Sequence, residues 1–404
     1  MDRIRSIKAR EIIDSRSNPT IEVKLSTERA EVVSSVPSGA SVGTYEALEL
    51  RDNEDRFFGK GVLKAIANVN EIIAPALIGQ RVVNQREVDD LLIRLDGTDN
   101  FSKLGANATL AVSMAVCRAA AKSIEIPLYG YISGLAAREI SIPRPFFNLI
   151  NGGAHAGNDL SFQEFMISPD RESFKEQLRQ ASEEYHLLKK KIEAKYSLSA
   201  TNIGDEGGFA PPIKDPVDAL NILPEKVSIG LDVAAGEFLR EGKYETGFAS
   251  LSGKDLLDYY INILDRYPIV SIEDPFAEDD WDLWKELTDK VSDRVLIIGD
   301  DLLATNPKRI KLAAEKKACN GMILKLNQIG TVSLGIEAAK IARRFNWKVM
   351  VSHRSGETTD DFIADFSVGI GSDFIKAGAP ARGERVSKYN RLLKIEEELR
   401  VQEE

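Results

Sequence analysis

Cysteine is nearly absent: Cys117 and Cys319 are the only two in 404 residues, and neither stands at a metal-ligand spacing. A disulfide-built scaffold is therefore excluded, and both thiols are expected to be reduced, as in a cytosolic protein. Histidine is almost as scarce, with His155, His186 and His353 making up the full set. No apolar run approaches the roughly 18–20 residues of a membrane-spanning helix. The opening MDRIRSIKAREIID is too charged for a signal peptide. Positive charge is in deficit, with 53 Lys and Arg against 63 Asp and Glu and a net charge of −10. That balance argues against a surface built for nucleic acid or anionic lipid. An anionic substrate would need a local cluster of cationic groups or metal ions. Low-complexity tracts and strict short repeats are also missing.

What is present is a hydrophobic content of 43 %, enough for a large core. The first 125 or so residues read as α+β. TIEVKLST alternates like a half-buried strand, EVVSSVPS follows at hairpin distance, and LGANATLAVSMAVCRAAAKSI is an alanine-rich helix suited to close packing. Prolines at 127, 143 and 145 mark a boundary. Beyond it, short apolar runs ending in a polar residue recur: VSIGLD, IVSIED, VLIIGDD, GMILKL, KVMVSH and FIKAG. Their terminal residues are Asp232, Glu273, Asp300, Lys325, His353 and Lys376, about one strand–helix unit apart. With PRPFFNLI and FQEFMIS as further strands, eight fit a (β/α)₈ barrel, and a doubly wound sheet is the alternative. In a barrel these six residues converge on one mouth.

Three carboxylates crowded there, Asp232, Glu273 and Asp300, would repel unless a cation neutralised them. Oxygen-only ligands favour a hard ion such as Mg²⁺. Pairing of each with a neighbouring lysine or arginine is the plainer alternative. Asp274 and Asp301 compete for the same roles, and strand alternation predicts that only one of each adjacent pair faces the metal. Lys325 and Lys376 have apolar flanks, where burial and a nearby cation lower a lysine's pKa and make it a competent base. His353 precedes Arg354 and Ser355, donors suited to a phosphate or carboxylate clamp. His186 lies on a polar helix and reads as structural. His155 lies in NGGAHAGND, a loop able to fold over a ligand. In GDEGG, glycines let Glu206 project into a cavity where desolvation would raise its pKa for general-acid work, while a mobile acidic loop is the alternative.

The segments DSRSNPT, VPSGASVGTYEA, DGTDNFSKLGANA, NGGAHAGN, QEFMI, GDEGGFAP, GLDVA, SIEDPFAEDDW, DDLLATNP, LKLNQIGT, VSHRSGET and IKAGAPARGER occur in this order. Together they resemble the enolase family over essentially the whole chain. The resemblance implies an N-terminal α+β domain over 1–130 and a modified TIM barrel, ββαα(βα)₆, over 140–404. It implies reversible dehydration of 2-phosphoglycerate to phosphoenolpyruvate by a cytoplasmic homodimer or octameric ring of dimers, with no nucleic-acid partner. A second pool at the cell surface or secreted is reported for enolases as a group. Two Mg²⁺ ions are implied, the first held by Asp232, Glu273 and Asp300, the second by Ser41 and the substrate phosphate. Lys325 would remove the C2 proton, and Glu206, supported by Glu164, would protonate the departing C3 hydroxide. Lys376 would stabilise the doubly charged carboxylate, while Gln163, His155, His353, Arg354 and Ser355 hold the substrate. Enolase-superfamily sites combine a Lys or His base with one or two Mg²⁺, so that pairing comes with the resemblance and not from the spacing.

Three departures stand out. Ser17 replaces a glycine in a tight turn beside the substrate-binding Arg16, and Val42 replaces a threonine after Ser41. The segment between Glu206 and Asp232 is short, which predicts a trimmed helix. A racemase or cycloisomerase of the same superfamily should lack the Ser41 loop and the His-Arg-Ser clamp. A non-catalytic binding descendant should have lost Lys325, Glu206 or a metal carboxylate. All are retained.

Overall fold

The charged N-terminal stretch, read above only as unlike a signal peptide, is a strand. In the computed structural model, which describes residues 2–40 and 43–403, β1 (Ser6–Ile13) buries Ile7 and Ala9 and exposes Lys8 and Arg10. Charges on its open face suit an edge strand. It pairs antiparallel with β2 (Pro19–Ser26), which pairs with β3 (Glu31–Ser35). Short helices α1 (Leu63–Ala67) and α2 (Ala74–Leu77), then α3 (Gln85–Asp96), lead to α4 (Ala106–Ser123) and α5 (Leu128–Ala136). Every residue of α4 except Arg118 and Lys122 is buried, because its alanines let β2, β3 and the neighbouring helices approach closely.

The remaining elements follow in the order β4 (Arg144–Asn151), β5 (Glu164–Ser168), α6 (Phe174–Lys195), α7 (Pro216–Leu220) and β6 (Ser228–Asp232). A small sheet comes next, made of β7 (Leu239–Arg240), β8 (Lys243–Glu245) and β9 (Ser250–Leu251), which the sequence reading missed. Then come α8 (Gly253–Arg266), β10 (Ile269–Glu273), α9 (Trp281–Val291), β11 (Leu296–Gly299), α10 (Pro307–Lys316) and β12 (Gly321–Leu324). The chain ends with α11 (Val332–Arg344), β13 (Lys348–Ser352), α12 (Phe362–Gly369), β14 (Phe374–Lys376) and α13 (Gly383–Glu403).

Eight of these strands close in the order β10-β11-β12-β13-β14-β4-β5-β6, so the doubly wound alternative is excluded. Only β5 runs antiparallel to its neighbours, which gives the ββαα(βα)₆ pattern. That reversal has a chemical consequence. The first residue of β5, Glu164, lies level with the last residue of β6, Asp232, at the mouth. Phe146, Met166, Ile298, Ile323 and Met350 fill the barrel interior. Gly230 makes room for one of them, since a Cβ there would lie 2.6 Å from the Phe146 ring. The segment between Glu206 and Asp232 holds α7, a helix of five residues.

Arg118 fastens α4 to the loop before α12. Its guanidinium donates to both oxygens of Asp360, at 2.6 and 2.9 Å, and to Asp361 at 2.9 Å. Asp360 also accepts from the backbone of Ser35 and Phe362. Burial alone would raise the Asp360 pKa, but Arg118 and these N–H groups hold it below the ordinary value. Arg118→Ala should cost about 3 kcal/mol at neutral pH, read from the urea midpoint, because it strands a buried charge. The pair's contribution is full above about pH 4 and lost as pH falls through the folded-state pKa, so the mutational loss should shrink in acid. An unchanged midpoint at pH 7 would show the pair to be energetically idle.

Candidate active site

The strand ends deliver their polar residues to one cleft. His155, Gln163, Glu164, Glu206, Asp232, Asp300, Lys325, His353, Arg354, Ser355 and Lys376 all line it. Glu273 lies with them, buried against Lys376. Ser41 and Val42 fall outside the described residues. His186 is exposed on α6, away from the site.

Lys376 stands among three carboxylates. Its Nζ donates to both oxygens of Glu273 at 2.8 Å, to Asp232 at 3.0 Å and to Glu164 at 3.3 Å. Lys325 pairs with Asp300, whose other oxygen accepts from Gln328 at 3.2 Å. The three carboxylates expected to hold a metal are thus gathered, each against a lysine. Two further groups, Asp274 with Asp300 and Asp301 and His155 with Glu164 and Glu206, each bring one ligand atom per residue within 4.8 Å of the others. Alternation fails in the first of them because its residues lie past the ends of β10 and β11. Asp274 adopts a φ of 42°, and its carboxylate turns back to accept from the backbone of Asp300 (2.9 Å) and Asp301 (2.7 Å).

Negative charge is in excess. Burial, then Asp232, raises the Glu273 pKa well above the carboxylate range despite Lys376. Burial and Asp301 do the same to Asp274, and Asp301 itself is pushed up to about 7 by burial and Asp300. Carboxyls driven toward protonation by one another are the donor set that a hard divalent cation relieves, so these residues fit such an ion. Lys325 faces a carboxylate. Burial would lower its pKa, but the Asp300 carboxylate holds it above the usual lysine value.

The opposite wall is built on the Gly204–Gly208 loop. Gly207 takes a φ of +86°, and a Cβ on Gly204 would meet the His155 carbonyl at 2.5 Å, so only glycine fits these two places. Tyr185 secures the loop, donating to the Gly207 carbonyl at 2.7 Å while its ring stacks on Phe209. Glu206 accepts from Asn148 at 2.9 Å, and its other oxygen stands 3.4 Å from both His155 Nδ1 and His353 Nε2. The expected upward shift falls on its neighbour. Burial, then the charge of Glu206, raises Glu164 well above the carboxylate range. At Glu206 burial acts in the same sense, but the facing His155 and His353, with Arg385 behind them, carry it well below. Of the two glutamates, Glu164 is the one whose surroundings favour the protonated form.

Arg354 donates to Glu46 at 3.0 Å and to Asn327 at 3.1 Å. The Ser355 hydroxyl and His353 Nε2 are buried and unpartnered among the described residues, so both stand ready for an anionic guest. Ser17 keeps a left-handed φ of 59°, the turn a glycine would make, while Asp14 accepts from the backbone of Arg16 and Asn18 around it. Gln328, Asn148, Tyr185 and Arg385 escaped the sequence reading. Arg385 lay in the quoted IKAGAPARGER, Gln328 in LKLNQIGT and Asn148 in the strand PRPFFNLI, but nothing in the string marked which atoms they would touch.

The comparisons with known proteins cover the whole fold. Residues 4–132 match the family described as enolase, N-terminal domain, and residues 139–403 match enolase, C-terminal TIM barrel domain. Relatives include an enolase of Mastigamoeba balamuthi, 53 % identical across 99 % of this chain and 96 % of its own length. Another is enolase B of Dictyostelium discoideum, 53 % identical across 98 % of this chain and 95 % of its own length. With both family domains matched in order along a barrel of the family's ββαα(βα)₆ pattern, the chain belongs to the enolase family and is a lyase of the phosphopyruvate hydratase class.

Proposed function

We propose that this chain dehydrates 2-phosphoglycerate reversibly to phosphoenolpyruvate, with Lys325 as C2 base and the Glu206–Glu164 pair as proton donor to the departing C3 hydroxide. The supporting observation is topological. In the closed eight-strand order β12 and β5 lie four strands apart, so Lys325, just past β12, faces Glu164, at the head of β5, across the mouth. A base and an acid on opposite walls can serve the two ends of one C–C bond. Lys376 supplies an ammonium for the substrate carboxylate, while Gln163, His155, His353, Arg354 and Ser355 orient the substrate through donors that converge on the cavity.

Asp232, Glu273 and Asp300 would hold the first Mg²⁺, and Ser41 would contribute to a second. Mg²⁺ bound there supplies positive charge to a carboxylate that gains negative charge as the C2 proton leaves. Ultraviolet absorbance of phosphoenolpyruvate formed from 2-phosphoglycerate tests the reading. Turnover should fall at least about 100-fold with excess chelator and return with Mg²⁺. A folded, Mg²⁺-supplied protein without turnover would overturn it.

The domain division proposed is 1–130 and 140–404, and the cytoplasm is the proposed location, which suits two buried free thiols. No helix among the described residues is long and apolar enough to cross a membrane. A homodimer is proposed on the face carrying Phe58, a side chain 99 % exposed beside the Arg56–Glu11 pair that ties its turn to β1. Phe58→Asp should shift the sedimentation coefficient toward the monomer. No shift would remove this face from the interface, and a larger starting species would favour the octameric ring.

A further inference from the structure

Arg385, in the first turn of α13, is wholly buried directly behind the active site. Its Nη1 stands 2.7 Å from His353 Nδ1 and donates to the Arg354 carbonyl at 2.6 Å. Its Nη2 donates to the carbonyls of Asp205 at 2.9 Å and Ser355 at 2.6 Å. One guanidinium therefore grips both the loop that carries Glu206 and the loop that carries the clamp.

The contact with His353 decides a proton. A guanidinium offers N–H donors and no acceptor, so the ring nitrogen it faces must present a lone pair. A ring protonated on Nδ1 would set N–H against N–H. In the neutral ring the proton then belongs on Nε2, the atom that faces Glu206 Oε1 at 3.4 Å and has no hydrogen-bond partner among the described residues. We propose that Arg385 is a positioning residue that locks His353 as its neutral Nε2–H tautomer, so that the ring presents a single donor to the cavity beside Glu206. The charges around the ring agree. Burial first, then Arg385, Lys376 and Lys325, disfavour a second proton, and only Glu206 opposes them.

The catalytic use of that donor rests on the dehydration reading, but the tautomer does not, and the experiment keeps them apart. With only three histidines in the chain, long-range proton–nitrogen NMR correlation of the intact protein labelled with ¹⁵N in the histidine rings resolves each one. His353→Gln identifies the His353 pattern by its disappearance. The expected result is a bare Nδ1 and a protonated Nε2 that persist from about pH 6 to 8. A ring protonated on Nδ1, or one that gains a second proton in that range, overturns the proposal whether or not the protein turns over 2-phosphoglycerate.

A kinetic cycle tests the coupling. Arg385→Lys keeps the charge but loses the planar fork, and should lower kcat by about 10–100-fold with little change in KM, as loss of an outer partner does for other oriented histidines. Combined with His353→Gln, it should add no further loss. Additive losses would assign Arg385 to holding the fold alone. Should Arg385→Lys fail to fold, the wild-type tautomer decides.

Discussion

Lys325→Met should abolish both dehydration and exchange of the C2 proton of 2-phosphoglycerate with deuterated solvent. The substitution keeps an unbranched side chain of similar length and removes the ammonium that pairs with Asp300. General-base catalysis is worth about 10²–10⁴-fold, or roughly 3–5 kcal/mol of barrier, and exchange shares the proton-abstraction step with dehydration. As found here, Lys325 is an ammonium, because Asp300 stabilises the charge more than burial opposes it. Asp300 engaged by Mg²⁺ no longer stabilises that charge, and burial is left to push the pKa down. The base should therefore emerge only in the metal-loaded protein, and wild-type exchange should vanish with chelator. Circular dichroism must accompany the measurement, since Met leaves Asp300 with Gln328 alone. Exchange that survives in folded Lys325→Met would move the base elsewhere, with Lys376 the next candidate.

The sequence made the barrel legible because each parallel strand is an apolar run closed by a polar residue, and the helices between have unambiguous length. It also made most of the site legible, since strand ends must meet at one mouth. What it hid follows from physics that a linear string does not carry. β1 escaped because an edge strand clothes its open face in charge, and Lys8 and Arg10 masked the alternation of Ile7 and Ala9. Asp274 was expected to turn away by strand alternation, but it sits one residue past β10 at a positive φ, where alternation no longer applies. The raised pKa expected at Glu206 falls on Glu164 instead, because burial was weighed there and the facing His155, His353 and Arg385 were not. The lowered pKa expected at Lys325 was for a lysine beside a cation, whereas the Asp300 carboxylate by itself holds it up. Gln328 and Arg385 went unnoticed because their importance lies in which atoms they touch across more than 25 residues of chain.

Glu206→Gln should separate the two halves of the reaction. Gln matches the shape of Glu206 and retains an oxygen that can accept from Asn148, but it neither holds nor passes a proton. Dehydration should fall by about 10²–10⁴-fold, while exchange at C2, which needs Lys325 and substrate bound with Mg²⁺ but not this wall, should persist near the wild-type rate. Glu164→Gln should show the same split, because burial and the charge of Glu206 favour a proton on Glu164, whose carboxylate lies within 4.8 Å of that of Glu206. The like behaviour of the two variants is the informative part. A lone general acid at Glu206 would leave Glu164→Gln with a milder, binding-like defect in KM, whereas a shared proton makes either glutamine break the same transfer. Loss of exchange together with dehydration in Glu206→Gln would mean that this wall is needed to hold the substrate for proton abstraction. In that case the base and acid could no longer be assigned to separate sides of the mouth.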